Sequence, residues 1–211
     1  MKELLIIGAR GFGREVYDLA IQCDGYNNEY IIKGFLDNDK NALENFQNYP
    51  DIVSSVEEYE IKENDVFICA LGSVIWKKKY AEIIINKGGK FISLIHPTVI
   101  LNTNTKIGQG VIISYNVVIS NDCTISDFVS IQGFTVLGHD TQIGKWSHIS
   151  TFSFFGGYAC VEKEVTIYTR ASIMPHIKIN QKATVGASSL VIKNVKSETT
   201  VFGVPALVLK F

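Results

Sequence analysis

Residues 111–150 read VIISYNVVISNDCTISDFVSIQGFTVLGHDTQIGKWSHIS, with an apolar residue at every sixth place: Ile113, Ile119, Ile125, Ile131, Leu137, Ile143 and Ile149. Followed outward, the series runs back through Ile107 and Leu101 to Ile95. It runs forward through Phe155, Val161, Ile167, Ile173, Ile179 and Val185 to Val191 without a miss. With about half of all residues apolar, so long a series would arise by chance roughly once in 10⁵ trials. A six-residue period excludes an amphipathic helix, whose stripe recurs at about 3.6, and is too regular for hairpins spaced roughly 8 to 12 apart. A second series four places later is small or β-branched, which suits interior strand positions: Val99, Thr105, Val111, Val117, Cys123, Val129, Thr135, Thr141, Ser147, Ser153, Ala159, Val165 and Ala171. Between the two series lie Gly, Asn, Asp and Ser, as at Ile107-Gly108, Ile143-Gly144 and Val185-Gly186, the residues that tight corners require. A stacked β-solenoid follows, with three hexads to a triangular coil. Nearly six coils at about 4.8 Å each make a prism roughly 27 Å long.

Residues 1–93 lack this period and read instead as strand, Gly-rich turn and helix. Leu4 to Ile7 is a continuous apolar run suited to a buried parallel strand; Gly8-Ala9-Arg10-Gly11-Phe12-Gly13 follows, then a helical pattern from Glu15 to Cys23. Ile31 to Asp37 and Val66 to Leu71 read as further strands, and Lys77-Lys78-Lys79 reads as the solvated face of a later helix. A Gly-rich strand-to-helix turn lets backbone amides and the positive helix end hold a phosphate. The dinucleotide pattern wants glycine at its first, third and sixth positions, and Arg10 at the third argues against full dinucleotide binding. Asp37, at the end of the second strand, suits a sugar hydroxyl or a base edge.

The whole chain has 211 residues, 46% hydrophobic and 19% charged, with a net charge of −1, which fits a soluble globular protein and not a polybasic nucleic-acid binder. No apolar run approaches the roughly 20 residues of a membrane span or a secretory leader, so the cytoplasm is the expected location. Cys23, Cys69, Cys123 and Cys160 show no C-x-x-C spacing and are expected to be reduced thiols. Charge is uneven. Residues 1–90 carry 11 basic and 15 acidic groups and residues 170–211 carry 6 and 1, a surplus that either greets a polyanion or is an ordinary solvated face.

A Rossmann-like domain over residues 1–93 joined directly to a hexapeptide β-helix over 94–211 resembles the sugar O- and N-acyltransferases of the NeuD and PglD type. The resemblance spans the chain. It is carried by Leu5-Ile6-Ile7-Gly8 with the Gly11 and Gly13 turn, by Gly34-Phe35-Leu36-Asp37-Asn38, by Ala70-Leu71-Gly72, by Ile95-His96-Pro97-Thr98 and by Phe202-Gly203-Val204-Pro205-Ala206. It implies a left-handed parallel β-helix, a homotrimer of prisms packed side by side, a nucleotide-sugar substrate, acetyl-CoA as co-substrate and no metal. The substrate positions it implies are Arg10, Gly11, Phe12, Gly13, Asp37, Asn38 and Gly72.

Acyl transfer from a thioester needs a base for the nucleophile's proton and an acid for the departing thiolate, and histidine can serve as both. Among four histidines, His96 before Pro97 reads as structural, and His176 in Met174-Pro175-His176 as a surface residue. His139 lies two places after core residue Leu137, so it points outward at a corner, and Asp140 beside it can fix the imidazole tautomer. A solvated corner pair is the alternative reading of those two residues; the resemblance places the family's base and its acidic partner there. It likewise places acetyl-CoA at His148, Gly157, Thr169, Gly186 and Ala187, with backbone amides available to the oxyanion. Tyr168 stands where the family more often has glycine, and Phe152, Phe154 and Phe155 make an unusually aromatic corner, which leaves the acyl group open.

The expected activity is acetyl transfer to a nucleotide-linked amino sugar of the 4-amino-4,6-dideoxy kind, in bacterial surface glycan biosynthesis. Acetylation of a hydroxyl, as on sialic acid, is the nearest alternative, and a non-catalytic nucleotide-sugar-binding protein is another. A β-helix enzyme of the gamma carbonic anhydrase kind would need three converging histidines, and the chain has no H-x4-H pair.

Overall fold

A computed structural model describes residues 1–209, so Lys210 and Phe211, at the end of the basic segment, lie outside the described residues. Two compact units meet at Pro97 and Thr98, four residues beyond the expected division at 93/94.

The first unit is a five-stranded parallel sheet in the order β3-β2-β1-β4-β5. Its elements are β1 (Lys2–Ile7), α1 (Gly11–Gln22), β2 (Tyr30–Leu36), β3 (Ile52–Ser54), β4 (Asp65–Cys69), α2 (Val74–Asn86) and β5 (Lys90–Phe91). Leu4 to Ile7 are buried because β1 is the central strand, hydrogen-bonded to β2 on one side and β4 on the other. The chain builds outward from β1 first toward β3 and then back toward β5, so the carboxyl end of β1 is a switch point where ligands of such sheets bind. Helix α1 starts four residues before the expected Glu15, directly on the glycine turn. A Cβ on Gly13 would stand 2.0 Å from the Gly8 carbonyl oxygen, so only glycine lets helix and strand approach this closely.

The expected solvated lysine run is corrected at its first member. Lys77 is 1% exposed because Val74, Lys77, Ala81 and Ile84 form the inward stripe of α2. Burial pulls its ammonium down to about 7, partly offset by the nearby Cys69 thiol. At the other end of the sheet Asp65 is fully buried and held by Lys33 at 2.6 Å, the Tyr59 hydroxyl at 2.7 Å and the Lys62 amide at 2.7 Å. Burial alone would raise its pKa, but these donors hold the carboxyl below its ordinary value.

The second unit is a parallel β-helix of two-residue strands, each stacked on the strand 18 residues away, as in Val118↔Val136 and Val136↔Phe154. One wall presents Ile100, Val118, Val136, Phe154, Ser172 and Leu190; a second presents Lys106, Thr124, Gln142, Cys160 and Lys178; the third includes Ile112, Ser130, His148, Thr166 and Thr184. Strands Thr200–Phe202 and Leu207–Val208 extend the third wall. The hexad residues from Ile113 to Val191 fill the interior at 0–2% exposure. Leu101, on an end strand of its sheet with no coil beyond it on that wall, stays 42% exposed.

The second series of small residues is buried from Val111 to Ala171, with Val99 and Thr105 half-buried at the open end, and it sits at the corners, not in the strands. From Thr105 on, each follows a residue of positive φ, such as Asp140 at 59° before Thr141 and Phe152 at 60° before Ser153, and the narrow corner interior admits only small side chains. Their hydroxyls return to backbone carbonyls, Thr141 to Gly138 at 2.7 Å and Ser153 to Ser150 at 2.8 Å. Bulky residues held at φ above zero stack along the edges, Phe134 on Phe152 at 4.9 Å and Phe128 on Trp146 at 4.1 Å. Phe155 belongs to the core, and Phe152 and Phe154 are exposed.

Candidate functional site

His139 stands at the corner between the first and second walls, and its Nδ1 lies 2.8 Å from Asp140 Oδ2. Asp140 reaches back to its neighbour because its backbone takes φ 59° at the corner. The His139 side chain is 58% exposed. One coil along, a Cβ on Gly157 would fall 2.5 Å from His139 Nε2, which makes glycine there a condition of the ring's present position. Tyr158 meets the imidazole edge-on at 5.2 Å and 90°, and His176 stacks on Tyr158 at 4.9 Å and 8°. His176 is thus exposed as expected but belongs to a three-ring column under His139. Asp140 accepting from Nδ1–H leaves Nε2 unprotonated, the tautomer a general base needs.

The remaining residues expected at the acyl donor do not gather around His139 within one chain. Thr169 and Ala187 are stacked on the corner between the third and first walls, with Gly186 beside them and the first wall between them and His139. Six residues at about 3.3 Å each put that separation on the order of 15–20 Å. Thr169 donates to the Thr151 carbonyl at 2.9 Å, and a Cβ on Gly186 would strike the Phe202 ring at 2.3 Å, so both have structural tasks. Tyr168, 50% exposed, precedes Thr169 on that corner. His148 is buried on the third wall between Ser130 and Thr166, away from the His139 corner. Two lysines of the basic C-terminal segment are already paired, Lys178 with Glu162 at 2.6 Å and Lys182 with Glu198 at 3.3 Å.

In the first unit a cavity of about 500 Å³ opens at the carboxyl ends of β1, β2 and β4, lined by Arg10, Asp37 and Asn38 among the expected residues. Gly11, Phe12 and Gly13 form the first turn of α1 beside it, and Gly72 lies in the loop between the lining residues Leu71 and Ser73. The carboxylate of Asp37 accepts the Ala9 amide at 2.8 Å and the Asp39 amide at 2.9 Å, which ties the glycine turn to the end of β2. Asn38 donates to Glu57 at 2.8 Å, and Arg10 pairs with Asp39 at 3.2 Å. Leu71, Ser73, Trp76 and Tyr80 also line the cavity, and sequence reasoning missed them. The spacing of Trp76 and Tyr80 on one helix face was the available signal. Among the described residues no group of three His, Cys, Asp or Glu could hold a metal ion, and no helix is long and apolar enough to cross a membrane.

Residues 3–84 match the family model of the PglD N-terminal domain, and residues 85–188 match that of the GMPPB C-terminal domain. A serine acetyltransferase of Buchnera aphidicola subsp. Schizaphis graminum is 44% identical over 50 residues, 24% of this chain, and the match spans only 19% of that protein. Among solved structures, the acetyltransferase domain of PglB from Neisseria gonorrhoeae superposes with a TM-score of 0.88 at 24% identity, over 99% of this chain and 100% of that one. PerB from Caulobacter crescentus, in complex with CoA and GDP-perosamine, gives 0.89 at 21% identity over 100% of this chain and 98% of that one. WeeI from Acinetobacter baumannii gives 0.88 at 20% identity over 99% of this chain and 100% of that one. At these identities the likeness establishes the fold. The two family matches run end to end over residues 3–188, a PglD N-terminal domain leading directly into a hexapeptide β-helix, and so the chain is a hexapeptide-repeat protein of the NeuD/PglD type.

Proposed function

We propose that the protein is an acetyl-CoA-dependent N-acetyltransferase acting on a nucleotide-linked amino sugar of the 4-amino-4,6-dideoxy kind, in bacterial surface glycan biosynthesis. The observation that carries this reading is the His139–Asp140 pair at 2.8 Å on an imidazole whose side chain is 58% exposed. His139 Nε2 accepts a proton from the sugar amine as its nitrogen attacks the acetyl carbonyl. Asp140 stabilises the imidazolium. The C–S bond then breaks and the proton passes to the departing thiolate. The complex of PerB with CoA and GDP-perosamine supports the same pair of substrates here. In the first unit, the α1 N-terminus and Arg10 beside the cavity suit a diphosphate.

The protein is read as a cytoplasmic homotrimer. Ile100, Val136 and Phe154 are 37–54% exposed on one wall, with Phe134 and Phe152 on one of its edges and Tyr158 on the other, a contiguous apolar face of the kind that marks an interface. A second copy on that wall brings its Thr169 and Ala187 corner toward His139, uniting donor residues that one chain keeps apart. The test is thiol release from acetyl-CoA with UDP-, dTDP- and GDP-linked 4-amino-4,6-dideoxysugars, using wild type and His139→Ala. Turnover on an amine that falls at least a hundredfold in the variant supports the reading. Turnover only on a sugar hydroxyl replaces it with O-acetylation, and nucleotide-sugar binding without thiol release replaces it with a binding protein.

A further inference from the structure

Trp76 is the largest side chain lining the first unit's cavity, and 49% of its surface is exposed. A tryptophan left this open at the mouth of the cleft is unusual, because the other apolar lining residues (Ile7, Leu36, Val56 and Leu71) are buried or half-buried. It is also braced. Tyr80, one helical turn on, stacks against it at 5.8 Å and 23°, and Lys79 Nζ sits 4.8 Å from its ring centroid. The indole therefore presents a fixed, flat π surface.

The acidic and amide side chains at the end of β2 in the same cavity already have partners. Both carboxylate oxygens of Asp37 accept backbone amides, and Asn38 donates to Glu57 and accepts from the Val56 amide at 3.4 Å. Asp39 is held by Arg10 and by the Asn41 amide. Those partners reduce what these side chains offer to the donor and acceptor pattern of a heterocycle's edge, whereas every base has a π face. We propose that Trp76, backed by Tyr80, is the stacking wall for the base of the nucleotide, and that base recognition rests on this surface, so the site accepts pyrimidine and purine diphosphates alike. The inference rests on the nucleotide-sugar reading above and assigns its base-binding residue.

Calorimetric titration with UDP and with GDP tests it, on wild type and on Trp76→Phe, Trp76→Leu and Trp76→Ala, alongside the KM for nucleotide-sugar and for acetyl-CoA. Wild type is expected to bind the two diphosphates within about tenfold of each other. Losing a stacked base weakens binding roughly 5- to 150-fold, so Trp76→Ala and Trp76→Leu should lose that much for both ligands while Trp76→Phe stays within a few-fold. KM for the nucleotide-sugar should rise in step and KM for acetyl-CoA should not move. The leucine variant keeps apolar bulk on the helix, so it separates loss of the π face from loss of fold. Unchanged binding in the alanine and leucine variants overturns the assignment. So does a wild-type preference between UDP and GDP beyond about a thousandfold, which means edge readout. In either case turnover on a nucleotide-sugar leaves the enzymatic reading standing. Wild type that binds neither diphosphate removes the nucleotide reading itself and this assignment with it.

Discussion

Gly157→Ala is the sharpest perturbation of the proposed catalytic corner. The added methyl would lie 2.5 Å from His139 Nε2, 2.7 Å from Cε1 and 3.1 Å from Cδ2, so the ring has to move by about an ångström to restore ordinary contact. The move is easy, because the imidazole is 58% exposed and can swing outward, but it gives up the 2.8 Å bond to Asp140 and the edge contact with Tyr158. Misplacing a catalytic group by about 1 Å costs on the order of 10²-fold in rate, about 2.7 kcal/mol of transition-state stabilisation. Stability should not follow. Gly157 is not among the positive-φ residues, so alanine fits its backbone, and Gly→Ala at such a site lowers the entropy of the unfolded chain by about 0.4–1 kcal/mol. The expected result is a kcat about a hundredfold down, with a melting temperature unchanged or slightly raised and nucleotide-sugar binding intact. The assay is thiol release under saturating substrates, set beside thermal denaturation of the same preparation. A variant with wild-type kcat would refute the reasoning, since it would show that His139 does its work from another position or does none.

Phe155→Ala removes a fully buried ring from the coil interior and should cost about 3–5 kcal/mol, read as a lower denaturant midpoint. Asp65→Ala leaves Lys33 with Glu3 alone and strands the Tyr59 hydroxyl and Lys62 amide without their buried acceptor, which should destabilise the first unit by about 1–3 kcal/mol. Because the Asp65 carboxyl is held below its ordinary value, its contribution is complete above about pH 4–5 and is lost as pH falls through the lower folded value. Acid titration of wild type should therefore show a stability loss that Asp65→Ala lacks, and identical slopes would count against the network. Val136→Glu with Phe154→Asp places charge on the apolar wall and should convert a trimer to monomers by sedimentation, with activity lost alongside; an unchanged sedimentation coefficient would place the interface elsewhere.

The β-helix was legible because its interior repeats: Ile113, Ile119 and Ile125 each face inward by a rule that needs only a count of six. Where that rule met an end, at Leu101, it overstated burial, since an end strand lacks the next coil. The corner series was recognised as interior, but its place in bends and not strands depends on φ, which no residue pattern alone displays for Phe128 or Trp146. In the first unit the apolar run of β1 and the glycine turn were readable from local chemistry. Lys77 was not, because a lysine on the inward stripe of α2 looks in sequence like its solvated neighbours Lys78 and Lys79.

The chain by itself determined the repeat, the division into two kinds of domain, and the pair His139–Asp140, because each is encoded within a few consecutive residues or in a fixed period. Only the tertiary structure decided what surrounds that pair. Gly157, Tyr158 and His176 come under His139 from one and two coils away, and Trp76 reaches the cavity of Arg10 and Asp37 through the crossover of the sheet. Contacts between residues so far apart follow from stacking register and strand order, which the whole fold sets.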